Sequence, residues 1–333
     1  MPLLNATHPT LLDVAKRLDP DGKVAKVVEI LNQTNEILDD CVWIEANDVT
    51  SHLTTIRTGL PTPTWRKLYG GVQPTKSTTA QVRDSIGDLQ AYAEVDARLV
   101  DLNNNAPAFR LSEDMAHIEG MNQQFATTLI YGNEGTQPEA FTGLSPRFNL
   151  ITAPNGDNII RAEGSQPDAN DNTSIWLVVW GPNTVHGIYP KGIPGGLEIE
   201  DKGRVTAENI DGANGRAEIY RTHYKWMCGM TVRDWRYVVR ITLNQEDLVR
   251  NAATGPVLFD VMTQALDLVP SLSMGRPAFY MNRRVRSFLR RQIISATTNS
   301  TLTQENIGGK LVTMFAGVPV RRCDAILNTE AGV

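Results

Sequence analysis

The stretch that most constrains the fold is residues 111–132, because it carries one unbroken helical pattern. Ser112 is placed to cap the helix, and Glu113 and Asp114 follow where the helix dipole favours negative charge. Gly132 suits a helix end, since glycine adopts left-handed backbone conformations at little cost. A single apolar stripe at steps of three or four residues comprises Leu111, Met115, Ile118, Met121, Phe125 and Leu129. The sequence predicts an amphipathic helix of about 20 residues, roughly 30 Å long.

Residues 42–80 are unusual for a compact protein because they are rich in Thr, Pro and Gly over a long distance. Trp65, Leu68 and Tyr69 argue against a disordered linker, since such linkers contain few aromatic residues. We expect a two-stranded hairpin that could extend on the order of 40 Å, with about 15 residues in each arm. An isolated hairpin is marginally stable in water, so this one should lie on another surface, such as a second subunit.

The strongest strand pattern covers residues 224–244. Apolar residues take the even positions in its first half and the odd positions in its second half. A shift of one residue moves every side chain to the opposite face of a strand. We therefore expect a β-bulge or a bend near residues 233 and 234, within one long twisted strand or a strand pair.

The remaining patterns predict a mixture of helices and strands. Residues 22–40 have helical spacing within a segment that resembles an N-terminal arm, and residues 81–102 are predicted as a second, more polar helix. Helices are also predicted from Pro256 to the residue before Pro270 and over residues 283–294. Short strands are predicted at residues 158–162, 174–180, 185–189, 278–281, 311–315 and 318–323. The fold class is α+β.

Composition excludes several functional classes. The 333 residues suffice for one large domain or two ordinary ones. With 32 Lys and Arg residues against 37 Asp and Glu residues, the formal net charge of -5 argues against an obligate DNA-coating protein. No apolar run reaches the roughly 18 residues of a membrane span, and no secretion signal is seen. Three isolated cysteines predict neither a disulfide framework nor a zinc site, which favours a reducing, cytoplasmic compartment.

No catalytic, cofactor or metal site is predicted. The five histidines are scattered, and none has the HExxH spacing of a zinc site. The glycine clusters at residues 191–198 and 308–312 lack the spacings that aim backbone N–H groups at phosphate. Without a nucleophile, a base and an orienting group that can be argued together, an enzyme is not expected. An enzyme or binding protein of an unrecognised α+β type stays open as an alternative.

The basic cluster in the predicted helix 283–294 has two interpretations. Arg283, Arg286 and Arg290 share one helix face, opposite the apolar Val285 and Leu289. These arginines could contact phosphate, but no interleaved aromatic residues form a stacking groove. Ion pairing with acidic residues of another subunit is favoured, because the chain has an acidic excess.

Seven segments, taken in order, resemble those of a known family. The chain is similar to major capsid proteins of short-tailed, podovirus-like double-stranded DNA bacteriophages, which have the HK97-type fold. The segments are TWRKLYGGVQPTKST (64–78), AFRLSEDMAHIEGM (108–121), YGNEGTQPEAFTGLSPRF (131–148), GIYPKG (187–192), YKWMCGMTVRDWRYVVRI (224–241), AFYMNR (278–283) and FAGVPVRRCDAI (315–326). Their order and spacing together carry the resemblance.

The resemblance implies an HK97-like α+β fold with five regions. Residues 1–41 would be an N-terminal arm, and residues 42–80 an extended loop that overlaps a neighbouring subunit. Residues 81–249 would form a peripheral domain with its spine helix at 111–132, and residues 250–317 an axial domain. Residues 318–333 would return to the peripheral domain as a strand. Contacts between subunits are expected at Trp65, Arg66, Lys67, Tyr69, Arg283, Arg286 and Arg290.

The implied function is that of a structural, self-assembling major capsid protein, without enzymatic activity or cofactor. It would form the icosahedral virion capsid that encloses the phage genome, assembled in the bacterial host cytoplasm. Expected partners are further copies in hexamers and pentamers, a portal at one vertex, a cement protein, and DNA bound without sequence specificity, with no membrane. A separate scaffolding protein is expected unless a scaffolding segment has been removed, because the arm begins almost at Met1.

Two further expectations accompany the resemblance. Some relatives join their subunits covalently through a Lys in the extended loop and an Asn of a neighbour. Lys67 and Lys76 lie in the corresponding loop, but no partner Asn and Glu can be named, so cross-linking is not expected. The main alternative function is an encapsulin-like nanocompartment shell of the same fold, which would hold an enzyme cargo.

Overall fold

The structure is a computed structural model that describes residues 9, 33, 35–101, 106–162, 171–208, 215–248, 257–295, 302–307 and 310–333. The predicted arm, residues 1–41, lies mostly outside the described residues. The described chain forms two compact units. The first contains Gln33, Asp88–Ala126 and Gly196–Met227, and the second contains Thr34–Gly87, Thr127–Gly195 and Cys228–Val333 in their described parts.

The described chain contains both helices and strands, in the irregular order of an α+β protein. In order they are α1 (Ile37–Asp40), β1 (Trp43–Glu45), β2 (Ser51–Gly59), β3 (Thr78–Asp96), α2 (Ala97–Asp101), α3 (Ala106–Tyr131), β4 (Ile159–Arg161), β5 (Asn172–Trp180), β6 (Val185–Tyr189), β7 (Glu198–Glu208), β8 (Arg216–Val232), β9 (Val238–Asn244), α4 (Leu258–Leu268), β10 (Arg276–Met281), α5 (Arg283–Ser295), β11 (Leu302–Ile307), β12 (Lys310–Phe315) and β13 (Val318–Arg322).

The core of the second unit is built around β5, all nine residues of which are buried. Strand β5 pairs antiparallel with β9 on one side, where Ile175 faces Ile241, and with β10 on the other, where Leu177 faces Phe279. Strand β13 adds to β10 in parallel. Helices α4 and α5 pack against this sheet through Met262 and Leu289. A strand buried on both faces explains why residues 174–180 read as a continuous apolar run.

The first unit contains an antiparallel ribbon of β7 and β8, in which Val205 faces Ile219. Its small core gathers buried Ala93, Met121 and Tyr224. Phe125 stacks on Trp226 with ring centroids 4.4 Å apart. These aromatic contacts fix the part of α3 that belongs to this unit.

The long helix predicted at residues 111–132 is confirmed as α3, but two details of that prediction are wrong. The helix begins at Ala106, so Ser112 lies inside it and is not the N-cap. Gly132 follows the helix end as expected, yet its φ angle is not positive. Glycine is needed there because a Cβ atom would lie 2.4 Å from the carbonyl oxygen of Phe141.

The polar helix predicted over residues 81–102 is wrong, because this segment forms β3 and the short α2. Its buried residues near the end, Ala93, Val95 and Ala97, recur at every second position, which is the period of a strand. Apolar residues at 82, 86 and 89 happen to repeat at helical spacing as well. Backbone pairing of β3 with β2 stabilises the strand instead of a helix in this segment.

The break predicted near residues 233 and 234 is confirmed as a bend between two strands, whereas a bulge in one continuous strand is wrong. Strand β8 ends at Val232, a 3₁₀ turn covers Trp235–Tyr237, and β9 begins at Val238. The Asp234 side chain accepts a hydrogen bond from the backbone N–H of Arg236 and so caps this turn. The other predicted strands, and the helices α4 and α5, lie within a few residues of their expected positions.

Candidate assembly surfaces

The tip of the extended loop is a tight turn over residues 67–70. The backbone N–H of Gly70 donates a hydrogen bond to the carbonyl oxygen of Lys67 at 3.0 Å. The Arg66 Nε donates to the Gly70 carbonyl oxygen at 2.8 Å and ties the two sides of the turn. Tyr69 has φ 65°, a left-handed conformation that costs a residue with a side chain about 1–2 kcal/mol. The turn is held by its own contacts and points its side chains outward.

The side chains at this tip are large, apolar and open to solvent. Relative exposures are 104% for Trp65, 90% for Leu68 and 102% for Tyr69. From residue 60 to residue 76 every residue except Gly70 is exposed. Large apolar side chains grouped at one exposed tip are typical of a surface that a partner covers.

The base of the loop is the hairpin of β2 and β3, with Ser51 opposite Ser85 and His52 opposite Asp84. The pairing shifts between Arg57 and Gly59 and ends at Thr78. The predicted hairpin is therefore confirmed, but the connecting residues 60–77 contain no strand, so each paired arm is shorter than expected.

Two buried histidines lie at the base of this hairpin, and nothing in the sequence indicated that they would meet. The rings of His52 and His186 are 5.8 Å apart, edge to face. The Arg233 Nη2 lies 3.1 Å from the His52 Nε2. Burial first, and the Arg233 charge second, lower the pKa of both histidines, that of His186 to about 4. The negative charge of neighbouring Asp84, which also forms a 2.7 Å ion pair with Arg147, opposes this effect and raises the pKa of His52.

The three arginines of the predicted basic face of α5 do not share one environment in the structure. Arg283 forms an ion pair with Asp324 at 3.1 Å within the chain. Arg286 and Arg290 instead both point at the buried Thr313, whose Oγ1 lies 3.5 and 3.0 Å from their Nη2 atoms. Burial and the nearby Arg290 lower the pKa of Arg286. Among the described residues no carboxylate lies within ion-pair distance of Arg286 or Arg290.

The cysteines and histidines do not form a chemical site in the described chain. Cys41, Cys228 and Cys323 are buried thiols, and burial raises the pKa of Cys41 and Cys323 to about 12. Within the described ranges, no group of three or more His, Cys, Asp or Glu side chains is arranged to hold a metal ion. Of the helices described, none is both long and apolar enough to cross a bilayer.

A second exposed apolar surface lies on α3, in the first half of the stripe that the sequence predicted. On α3, Met121 and Phe125 are buried as expected, but Leu111, Met115 and Ile118 are 60%, 54% and 37% exposed. The stripe is thus continuous in sequence but covered only in its second half. The helical spacing identified the face, but spacing alone does not say whether the chain itself covers it.

Comparisons with known proteins identify the family of this chain. The family model described as "Major capsid protein GP7" matches residues 19–333. The near-atomic structure of bacteriophage Epsilon15 contains a chain 38% identical to this one, with a TM-score of 0.78, covering 100% of this chain and 99% of that chain. No curated protein matches the sequence.

Two more distant structures give much lower scores. The bacteriophage JBD30 capsid is 9% identical with a TM-score of 0.48, covering 89% of this chain and 92% of that chain. The SrpI encapsulin complex of Synechococcus elongatus PCC 7942 is 13% identical with a TM-score of 0.45, covering 70% of this chain and 95% of that chain. Neither of these two likenesses is strong enough to bear on function. The match to the bacteriophage Epsilon15 chain is much stronger than both.

A family match over nearly the whole chain and a full-length phage relative confirm the predicted fold and role. The protein has the HK97-type α+β fold, it is a virion capsid component that assembles with further copies of itself, and it is not an enzyme. The chain therefore belongs to the family of the major capsid protein GP7, whose members form the shell of a bacteriophage.

Proposed function

We propose that the loop tip, with Trp65, Arg66, Lys67 and Tyr69, is a principal contact between neighbouring subunits of the shell. The observation that carries this proposal is the complete exposure of Trp65 and Tyr69 at the end of a locally ordered turn. Fully burying one apolar side chain of this size stabilises a complex by about 1.5–3 kcal/mol. The loop tip therefore offers a large apolar anchor that the isolated subunit leaves in water.

The charges beside the anchor indicate what it contacts. Arg66 and Lys67 directly follow Trp65 in the loop tip, whereas the chain as a whole carries a net charge of -5. We infer that the loop tip docks on an acidic surface of the adjacent subunit, where aromatic and arginine residues commonly form the energetic centre of an interface. Charge complementarity would also set the register of the loop on its neighbour.

The basic face of α5 is our second proposed contact. Arg286 and Arg290 are the residues of the predicted set that keep charge available, because Arg283 is already paired with Asp324. The face lies within the region expected to be the axial domain, residues 250–317, where like segments of several subunits would meet. Ion pairs across that contact would be sensitive to salt, since exposed charges are screened over about 10 Å at ordinary ionic strength.

The wider assembly follows from the family and stays a proposal. We propose the five regions with the bounds given in the sequence analysis, and copies arranged as hexamers and pentamers in the host cytoplasm. A separate scaffolding protein, a cement protein and a portal at one vertex would complete the particle. The acidic balance supports enclosure of DNA without sequence-specific contacts.

The proposal is tested by replacing Trp65 and Tyr69 together with Ala. Because neither side chain packs within the subunit, the helix content measured by circular dichroism should stay at the wild-type level. Shell yield, measured by sedimentation and negative-stain electron microscopy, should fall at least about tenfold, since apolar anchors of this kind dominate interface energies. The matched control is Trp65→Phe with Tyr69→Phe, which retains the apolar rings and should assemble. Shells at wild-type yield from the alanine variant would exclude the loop tip as a principal contact.

A further inference from the structure

Arg286 and Arg290 of α5 converge on one point of the second unit. Their Nη2 atoms lie 3.5 and 3.0 Å from the Oγ1 atom of Thr313, a residue that is 1% exposed. The Nε atom of Arg286 is also shielded from solvent, and it has no hydrogen-bond partner among the described residues. Two guanidinium groups beside one hydroxyl present several donors together, an arrangement that binds carboxylates well. We call Arg286, Arg290 and Thr313 the arginine clamp.

The exposed face of α4 carries charge of the opposite sign. Asp260 and Asp267 are exposed and lie seven residues apart, so they share the helix face opposite the buried Met262. The Gln264 side chain donates a hydrogen bond to the Asp260 Oδ2 at 2.8 Å. Helix α4 contains no basic residue, and within the described chain neither aspartate forms an ion pair. We call Asp260 and Asp267 the acidic face of α4.

The arginine clamp is turned away from α4 of its own chain. The backbone N–H of Leu258 donates a hydrogen bond to the Gln292 Oε1 at 3.1 Å, which marks the side of α5 that faces the start of α4. At roughly 100° per residue, Arg286 lies about 120° and Arg290 about 160° around the helix from Gln292. The clamp therefore lies on a different side of α5, and an aspartate of the same α4 is not placed to enter it.

We propose that the arginine clamp of one subunit binds the acidic face of α4 on a second copy. This inference rests on the contact proposed above for α5 and names its partner. Hexamers and pentamers are closed rings, in which one surface of each copy meets a different surface of the next copy. The clamp and the acidic face are two such surfaces of opposite charge. A single exposed ion pair is weak, but this clamp is partly buried and the contact repeats in every copy.

Charge reversal tests which surface is the partner. Asp260→Lys with Asp267→Lys should lower shell yield at least about tenfold, measured by sedimentation and negative-stain electron microscopy, because like charges would then face each other. Arg286→Glu with Arg290→Glu should lower it equally. The four changes combined in one chain should restore most of the yield. Circular dichroism and thermal unfolding of the unassembled subunits show whether each variant folds.

The matched control reverses charge elsewhere in the second unit. Glu134 and Glu139 are exposed carboxylates outside both helices, and their replacement with Lys should not restore yield to the clamp variant. A clamp variant that folds and assembles at wild-type yield would exclude α5 as a contact. A blocked clamp variant with normal assembly of the acidic-face variant, or without recovery in the combined chain, would keep the α5 contact and overturn only α4 as its partner.

A disulfide test leaves the half-buried Arg286 unchanged. Arg290→Cys and Asp267→Cys place exposed thiols on the two surfaces, while the native thiols are buried. Under mild oxidation during assembly, the two single variants mixed should give linked dimers on a denaturing gel, and the double variant should give a ladder beyond the dimer. Arg290→Cys with Glu139→Cys is the control and should give at least about tenfold less product, because its thiols are not held together. Equal products from the two pairs, or a ladder that stops at the dimer, would overturn the head-to-tail contact.

Discussion

Arg240 and Glu330 form an ion pair in the core of the second unit, with the Nη2 and Oε2 atoms 2.8 Å apart and both side chains 3% exposed. The Arg240 guanidinium also donates to the Phe148 carbonyl oxygen at 2.8 Å and lies over the Trp176 ring. The Glu330 carboxylate accepts from the hydroxyls of Tyr131 and Ser174. This network fastens the C-terminal segment to the central sheet and to the end of α3.

Glu330→Gln should strongly destabilise the subunit, because it leaves Arg240 buried without its counter-charge. Breaking a buried pair in this way typically costs about 3–5 kcal/mol of unfolding free energy. The matched control is Glu208→Gln, since Glu208 and Arg216 pair at 2.9 Å but are each 70% exposed. That change should cost less than about 1 kcal/mol. Urea unfolding of the unassembled subunits measures both, and equal midpoints would show that the buried network contributes little.

The subunit should lose stability in mild acid through His186. Burial first, and the Arg233 charge second, lower its pKa from 6.5 to about 4 in the folded chain. Between these pH values the unfolded chain binds more protons than the folded chain. The contribution is therefore complete above pH 6.5 and is lost as the pH falls toward 4, up to about 3 kcal/mol in total. His52 acts in the same direction, because its pKa is also lowered by burial and by Arg233 despite the opposing charge of Asp84.

His186→Gln removes the titrating group and should flatten this part of the pH profile. Unfolding free energies from urea titrations between pH 7 and pH 4 measure the slope. His117→Gln is the control, because His117 belongs to the first unit, whereas His186 and Arg233 belong to the second. A wild-type slope that persists in the His186 variant would mean that other groups cause the acid sensitivity.

Two glycines on and after α3 should respond oppositely to alanine. A Cβ atom on Gly143 would lie 2.6 Å from the Thr128 carbonyl oxygen and 2.8 Å from that of Leu129, so Gly143→Ala must push backbone apart. Such overpacking costs about 1–3 kcal/mol. Gly120 lies inside α3 with open space around its Cβ position, so Gly120→Ala should stabilise the helix by about 0.5–1 kcal/mol. Thermal unfolding of both variants measures the difference, and shifts of the same sign would contradict it.

Removing the free charges of α5 should weaken assembly more than it changes the subunit. Arg286→Gln with Arg290→Gln should slow shell formation at low salt and reduce its dependence on ionic strength, because exposed ion pairs are screened by salt. Arg291→Gln is the control on the same helix, since Arg291 lies over the Phe288 ring instead of facing Thr313. Light scattering during assembly at several salt concentrations measures the effect. Identical salt profiles for the two variants would assign the contact to other residues.

The sequence predicted those elements whose apolar residues follow a single period. Strand β5 is a continuous buried run, and α4 and α5 have clean helical faces, so their positions were found within a few residues. Residues 81–102 were misassigned because their apolar residues fit two periods, and only pairing with β2 selects the strand. Local patterns cannot contain that information.

The candidate surfaces likewise contain some features that local sequence patterns predict and others that depend on contacts between distant parts of the chain. Trp65 and Tyr69 could be identified because large aromatic residues are out of place in a polar loop. The contact between His52 and His186 could not, since strand pairing joins residues that are far apart in sequence. The pairing of Arg283 with Asp324 likewise depends on where β13 ends, so the sequence grouped Arg283 with Arg286 and Arg290.

The most direct test of the account is a three-dimensional reconstruction of the assembled shell by electron cryomicroscopy, at a resolution that shows side chains. We expect Trp65 and Tyr69 of each loop tip to lie in van der Waals contact with an adjacent subunit and to be buried there. Loop tips surrounded by solvent in every subunit of the shell would contradict it.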